Sequence, residues 1–175
     1  VLAAQRAGCT RAHLRDAAQA ARATYGRSHV IAHAQTWPLG HPGDHELVER
    51  LLDARAEGRP GTLAHALDAT VLQLPIVWQH RAKVAWQAGL VRRALGGDGR
   101  ARVLSIGCGG SRDLALLEAH ELARLEVTLC DVEPRALALS RERLEGRVAR
   151  LDLVPGNVLR VGRRVRDAGP FEAIV

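Results

Sequence analysis

The run Val103-Leu104-Ser105-Ile106-Gly107-Cys108-Gly109-Gly110 constrains this chain most. It reads as a short buried strand that passes straight into a glycine turn. Glycine at 107 and 109 lets the backbone turn sharply and leaves no side chain in the way of a ligand. A helical pattern follows from Ser111 through Leu114, Leu117 and Leu122, and the start of a helix offers N–H groups to a ligand. The next apolar run, Val127-Thr128-Leu129-Cys130, ends on Asp131. Strand, glycine turn, helix, strand and acid, in that order, are the layout of a nucleotide-type cofactor site.

From Arg100 onward the pattern alternates between strand and helix, which predicts a parallel α/β sheet. The strands are expected near 102–106, 126–131, 148–154 and 171–175. The helices between them are expected over 111–122 and from Pro134, a residue suited to a first helical turn. Residues 158–167 read as a short helix or a basic loop. Residues 1 to about 100 read as helical. One Ala/Arg-rich helix is expected over 10–24, with a His/Pro/Gly-rich loop after it. Asp44 and Thr62 are expected to cap the next two helices, and a last helix is expected over 76–95 after Pro75. The glycines of Gly96-Gly97-Asp98-Gly99 mark a hinge, so the expected organisation is a helical region over 1–96 and an α/β part over 97–175.

The net charge of +6 rests on arginine, since Lys83 is the sole lysine. A composition bias with solvated arginines accounts for it, and an anionic partner is the sharper reading. Aromatic residues make up only 3%, which argues against a base-stacking platform. The 3 cysteines, Cys9, Cys108 and Cys130, are widely spaced and form no disulfide pattern, so a reducing, cytoplasmic setting is expected. No apolar run approaches the roughly 20 residues that span a bilayer. The sequence has no methionine, and the expectation is a start inside a longer protein.

Parallel strands bring their carboxyl ends to one edge, where open α/β sheets bind ligands. Gly107, Asp131 and Asn157 fall at such ends. Asp131 can accept hydrogen bonds from a ribose diol, or else cap the helix after it. Asn157 can pair with the edge of an adenine, or else serve as a turn residue. A dinucleotide fingerprint would carry a third glycine where Arg112 stands, and no Gly-Lys-Ser/Thr follows the turn. Among the 8 histidines, His29 and His33 have the i, i+4 spacing of a metal pair, but no further ligand completes a set, and no metal is expected.

The segments resemble, in order, the motifs of class I S-adenosylmethionine-dependent methyltransferases. Val103–Gly110 looks like the first motif and Leu129-Cys130-Asp131-Val132-Glu133-Pro134 like the second. Val154-Pro155-Gly156-Asn157-Val158 resembles the third, and Phe171-Glu172-Ala173-Ile174-Val175 the fourth strand. The resemblance covers about 100–175 and implies a Rossmann-like parallel sheet preceded by an all-helical N-terminal region. It implies S-adenosyl-L-methionine as cofactor, held by Ser105, Gly107, Cys108, Gly109, Asp131, Val132, Asn157 and Val158. Asp131 matches the ribose-binding acid, and Asn157 stands beside the adenine. The family often carries an acid two residues before the first glycine, where it helps to hold the methionine amino group; here that residue is Ser105.

The strands that would follow the fourth are absent. The sheet is therefore expected to be truncated, as a fragment or as a half completed by another polypeptide. The helices before the α/β part are similar in placement to those of bacterial methyltransferases that act on small molecules or acyl groups. Trp78, His80 and Arg81 are candidates to line an acceptor pocket, with Trp78 equally suited to the core. No catalytic base is assigned, because methyl transfer relies mainly on proximity and alignment. Two other readings are kept. One is an RNA-binding or RNA-methylating module that uses Arg160, Arg163, Arg164 and Arg166 on phosphates. The other is an NAD-dependent oxidoreductase, which Arg112 opposes.

Overall fold

The computed structural model describes residues 6–96 and 99–175. They form two compact units that divide between Val77 and Trp78. The helices of the first unit are α1 (Arg11–Ala17), α2 (Gln19–Tyr25), α3 (His29–Thr36), α4 (His45–Asp53) and α5 (Leu63–Val71), and α6 (Pro75–Ala94) begins there and continues into the second. The second unit then runs β1 (Ala101–Ile106), a 3-10 turn (Leu114–Leu116), α7 (Ala119–Leu122), β2 (Leu125–Asp131), α8 (Pro134–Leu144), β3 (Arg150–Pro155), α9 (Val158–Asp167) and β4 (Ala173–Ile174).

Caps set the helix starts in the first unit. The side chains of Thr10, Ser28, Asp44 and Thr62 each accept the backbone N–H three residues on, which satisfies a donor that the helix itself cannot. Two expectations are corrected here. The helix expected over 10–24 breaks at Ala18 into α1 and α2. The stretch after Gly26, expected as a loop, contains α3. Ser28 starts that helix, and Trp37, in a left-handed conformation with φ 48°, ends it just before Pro38. Val30, Leu51, Leu72 and Val77 form the small apolar core of this unit.

Its polar core is larger than its size suggests. Asp68 is fully buried and accepts from Ser28 Oγ at 2.6 Å and pairs with His29 Nδ1 at 3.0 Å. It also accepts the backbone N–H groups of Val30, Glu57 and Gly58. Burial works to raise the Asp68 carboxyl, but the hydrogen bonds from Ser28, His29, Val30 and Gly58 outweigh it and hold the pKa down to about 2. Buried His33 pairs through Nε2 with Asp44, at 2.8 and 2.9 Å to its two oxygens. The two histidines read as a metal pair therefore each take a carboxylate partner. Among the described residues no group of three His, Cys, Asp or Glu converges.

The second unit is a four-stranded parallel sheet of order β3-β2-β1-β4. Its strands read as continuous apolar runs because both faces are covered. Alternate side chains go to opposite faces. Ala101, Val103, Leu125, Val127 and Leu129 meet α6 and α8 on one face. Leu104, Cys130 and Val154 meet Val165 of α9 on the other. The fold is thus the α/β, Rossmann-like arrangement expected, with helices before it. Ala88 and Val91 of α6, and Leu95 just after it, enter this core, so most of α6 belongs with the sheet. The expected boundary at 96/97 therefore differs from the compact units, and residues 97 and 98 lie outside those described. Among the described residues no helix is long and apolar enough to cross a membrane.

The regular helix expected over 111–122 is also corrected. Leu114, Leu117 and Leu122 are all buried as their spacing suggests, but a 3-10 turn carries the first of them and Leu117 is extended. Glu118 and Glu121 then form a reciprocal capping box that restarts the chain as α7, satisfying two orphan donors at once. Residues 158–167, left open between helix and loop, are α9.

Candidate functional site

The chain leaves β1 at the centre of the sheet, builds β2 and β3 to one side, then crosses to β4 on the other. Such a reversal opens a crevice at the carboxyl ends of the strands, where α/β sheets take ligands. The glycine turn lies there. Gly107, Gly109 and Ser111 have φ of 64°, 52° and 52°, so every second residue is left-handed, a conformation that glycine adopts without penalty. A Cβ built on Gly107 would meet nothing within 4 Å, so the turn presents bare backbone to open space.

Three loops are tied together at this edge. Gly109 N donates to Asp131 Oδ2 at 2.9 Å, and Glu133 N donates to Asp131 Oδ1 at 2.9 Å. Gly156 N donates to the Asp131 carbonyl at 2.8 Å, and Gly107 N to the Cys130 carbonyl at 2.8 Å. Asp131 is only 9% exposed. Its carboxylate braces the glycine turn from across the strand boundary, and each oxygen keeps acceptor capacity for a further donor. The alternative role considered for Asp131, capping the next helix, falls to Glu133, whose side chain accepts Arg135 N at 3.2 Å.

The far side of the turn is held by α8. Ser140 Oγ donates to the Gly109 carbonyl at 2.8 Å and accepts from Ser111 Oγ at 2.9 Å. The Arg143 guanidinium donates to the Gly110 carbonyl. Ser111, Ser140 and Arg143 had no place among the residues expected from sequence. Ser111 carried one signal, its position two beyond Gly109 in an alternating glycine turn; Ser140 lies 29 residues away from its partner and carried none.

The other expected site residues are distributed as follows. Ser105 is buried in β1 opposite Leu129. Cys108 beside the turn has its thiol pushed up to about 12, first by burial and then by the charge of Asp131. It stays protonated and unreactive at neutral pH. Val132 is 59% exposed at the end of β2. Asn157 caps α9, its Oδ1 accepting Leu159 N at 2.9 Å. The side chain of Val158 packs against the apolar cluster beneath α9.

Trp78 is 59% exposed, so of the two roles considered for it the core is excluded. The Arg81 guanidinium lies 6.0 Å from its ring centroid, at the outer limit of a cation–π contact. Arg160, Arg163, Arg164 and Arg166 are all exposed on α9, while Val158, Val161 and Val165 of the same helix face the sheet. That is the pattern of an amphipathic surface helix with a solvated basic side.

One further carboxylate, with no motif to mark it, lies beside the turn. Asp113 sits at the end of the glycine turn, is 6% exposed, and its Oδ2 has no hydrogen-bond partner. Burial pushes this carboxyl up, against the lowering effect of the Leu114 N–H, its own N–H and the charge of Lys83.

No protein-family model and no curated protein sequence matches the chain. In three dimensions it is similar to the crystal structure of a possible exported protein from Bordetella parapertussis, with a TM-score of 0.53 and 19% identity. The match covers 79% of this chain and 44% of that one. A likeness at that identity speaks for the fold; the chain spans less than half the length of the protein it matches.

Proposed function

We propose that this chain carries the cofactor site of a class I S-adenosylmethionine-dependent methyltransferase that acts, in the cytoplasm, on a small-molecule or acyl acceptor. The observation that carries the reading is the hydrogen bond from Gly109 N to the Asp131 carboxylate. It joins bare glycine backbone that faces open space to an acid at the next strand end, at the switch point of the sheet.

In this reading the backbone of Gly107, Cys108 and Gly109 lies beneath the methionine part of the cofactor. Asp131 accepts the ribose hydroxyls, Val132 covers the adenine, and the Asn157 amide meets the adenine edge. The cofactor supplies an electrophilic methyl group on a sulfonium. The protein's share is to hold it with its methyl aligned to the acceptor, an entropic advantage that needs no base.

A dinucleotide is disfavoured by the local structure. Pyrophosphate sites use the N–H groups of a helix that starts at the turn, and here a 3-10 turn at Leu114–Leu116 and an extended Leu117 stand in that place. Calorimetric titration with S-adenosylhomocysteine and with NAD tests the reading. Saturable binding of the first alone is expected; binding of NAD alone would overturn it.

The glycine turn supplies a sharper check. Gly107→Ala places a Cβ at φ 64°, which costs roughly 1–2 kcal/mol of stability. The same Cβ enters the open space over the turn, so the affinity for S-adenosylhomocysteine is expected to fall at least tenfold. Unchanged affinity with the stability loss present would move the ligand off the turn.

A further inference from the structure

Two of the chain's 3 tryptophans stand on the outside of one helix, α6. Trp78 is 59% exposed and Trp86 60%. Ala82 and Ala85 lie between them and Gly89 just beyond, spacings that put all of these residues on one side of the helix. The opposite side carries Ala88 and Val91 into the sheet core. The whole stripe belongs to the second unit. An exposed apolar stripe with polar neighbours marks an interaction surface.

The charge around the stripe selects the partner. The 20 residues of α6 contain no Asp or Glu, while Lys83 and Arg93 are exposed beside the tryptophans. Gly89 has no side chain, and a Cβ built there would lie 3.7 Å from a guanidinium nitrogen of Arg93, so this cation lies along the stripe itself. The Arg81 guanidinium stands near the ring of Trp78. Arg92 adds nothing, because Glu121 pairs with it at 3.0 Å. A second copy of this face would set the same cations against each other with no acid on either helix to pair them. A protein partner would have to offer preformed pockets to two indoles on the outside of a helix. A bilayer needs no pocket: indole rings settle at the headgroup level, and lysine and arginine reach anionic headgroups on their long stems.

We infer that the outer face of α6 docks this protein on the surface of an anionic lipid bilayer. Trp78 and Trp86 seat in the headgroup region, and Lys83 and Arg93 face the anionic headgroups. The contact is peripheral. The inner face of α6 stays on the sheet, and among the described residues no helix is long and apolar enough to cross a membrane. The inference stands apart from the cofactor reading.

Co-sedimentation with vesicles tests it. One set contains phosphatidylglycerol and phosphatidylcholine in equal parts, the other phosphatidylcholine alone. Three double variants are compared with the wild type: Trp78→Ala with Trp86→Ala, Lys83→Glu with Arg93→Glu, and, on α9, Arg163→Glu with Arg164→Glu. All of the substituted side chains are exposed, so the variants keep the fold, which circular dichroism checks.

The wild type is expected to bind the mixed vesicles at least tenfold more tightly than the neutral ones. Each α6 variant should lose tenfold or more of that affinity, and the α9 variant less than either. No binding to the mixed vesicles, equal binding to both sets, or a loss confined to the α9 variant would overturn the inference. A dimer in solution that the tryptophan variant abolishes, with vesicles ignored, would assign the face to a second copy. Vesicles ignored while polyglutamate binds through Lys83 and Arg93 would assign it to an acidic protein.

Discussion

Asp131→Ala is expected to lower the affinity for S-adenosylhomocysteine at least a hundredfold and also to loosen the glycine turn. Two effects combine. The ribose loses its acceptor, and the N–H groups of Gly109 and Glu133 lose theirs. The second effect is structural, and an unpaired buried donor costs about 1–3 kcal/mol. Stability should therefore fall by a few kcal/mol at most, measured by urea denaturation, while binding falls far more. Asp131→Asn keeps an acceptor for one N–H and presents an amide donor to the other, so it should lie between wild type and alanine in both measurements. A variant that loses stability but binds as the wild type would make Asp131 a brace of the turn and nothing more.

Asp68→Ala is expected to be the most destabilising single change in the helical unit. It removes a fully buried carboxylate from Ser28, His29 and the backbone of Val30, Glu57 and Gly58. The Ser28 hydroxyl and the Val30 and Gly58 N–H groups left behind are buried, and a loss of roughly 3–5 kcal/mol follows.

The same carboxylate predicts acid sensitivity. Its folded-state pKa is held down to about 2, against an ordinary value of 3.8. As pH falls the unfolded chain takes up the proton first. The stabilisation, about 2 kcal/mol, is complete above roughly pH 4 and is lost as pH drops toward 2. Asp44 adds to the same slope. Burial opposes its ionisation, but the Leu47 N–H and His33 outweigh burial and hold its carboxyl below the ordinary value. Circular dichroism against urea at several pH values reads this directly. Asp68→Asn should flatten the slope, and an unchanged slope in that variant would show that other groups drive the acid transition.

The sheet was legible because its strands are buried on both faces and so appear as apolar runs bounded by turn residues. Gly107, Asp131 and Asn157 were placed at one edge by the parallel rule alone, and the structure puts them there. Helix caps were legible where a single Asp or Thr precedes an apolar pattern, as at Asp44 and Thr62. The same signal at Ser28 was present, but an eight-residue helix hidden among His, Pro and Gly gives too few turns for periodicity to stand out.

What was not legible depends on contacts distant in sequence. The spacing of Leu114, Leu117 and Leu122 suits a helix, yet the Glu118–Glu121 capping box restarts the chain midway. Asp113, which local pattern would place as one more polar surface residue, is buried. Ser140 reaches the glycine turn only because α8 folds back along the sheet, which no local pattern announces. The site's backbone was therefore readable, and the side chains that hold it in place were not.

In the proposed function S-adenosylmethionine binds over the glycine turn at the carboxyl edge of the sheet. Mapping amide chemical shifts of the labelled protein during titration with S-adenosylhomocysteine tests it most directly. Saturable shifts are expected at Gly107 to Gly110, Val132 and Asn157 to Leu159, with the exposed arginines of α9 unaffected. No shifts at all, or shifts confined to residues away from that edge, would contradict it.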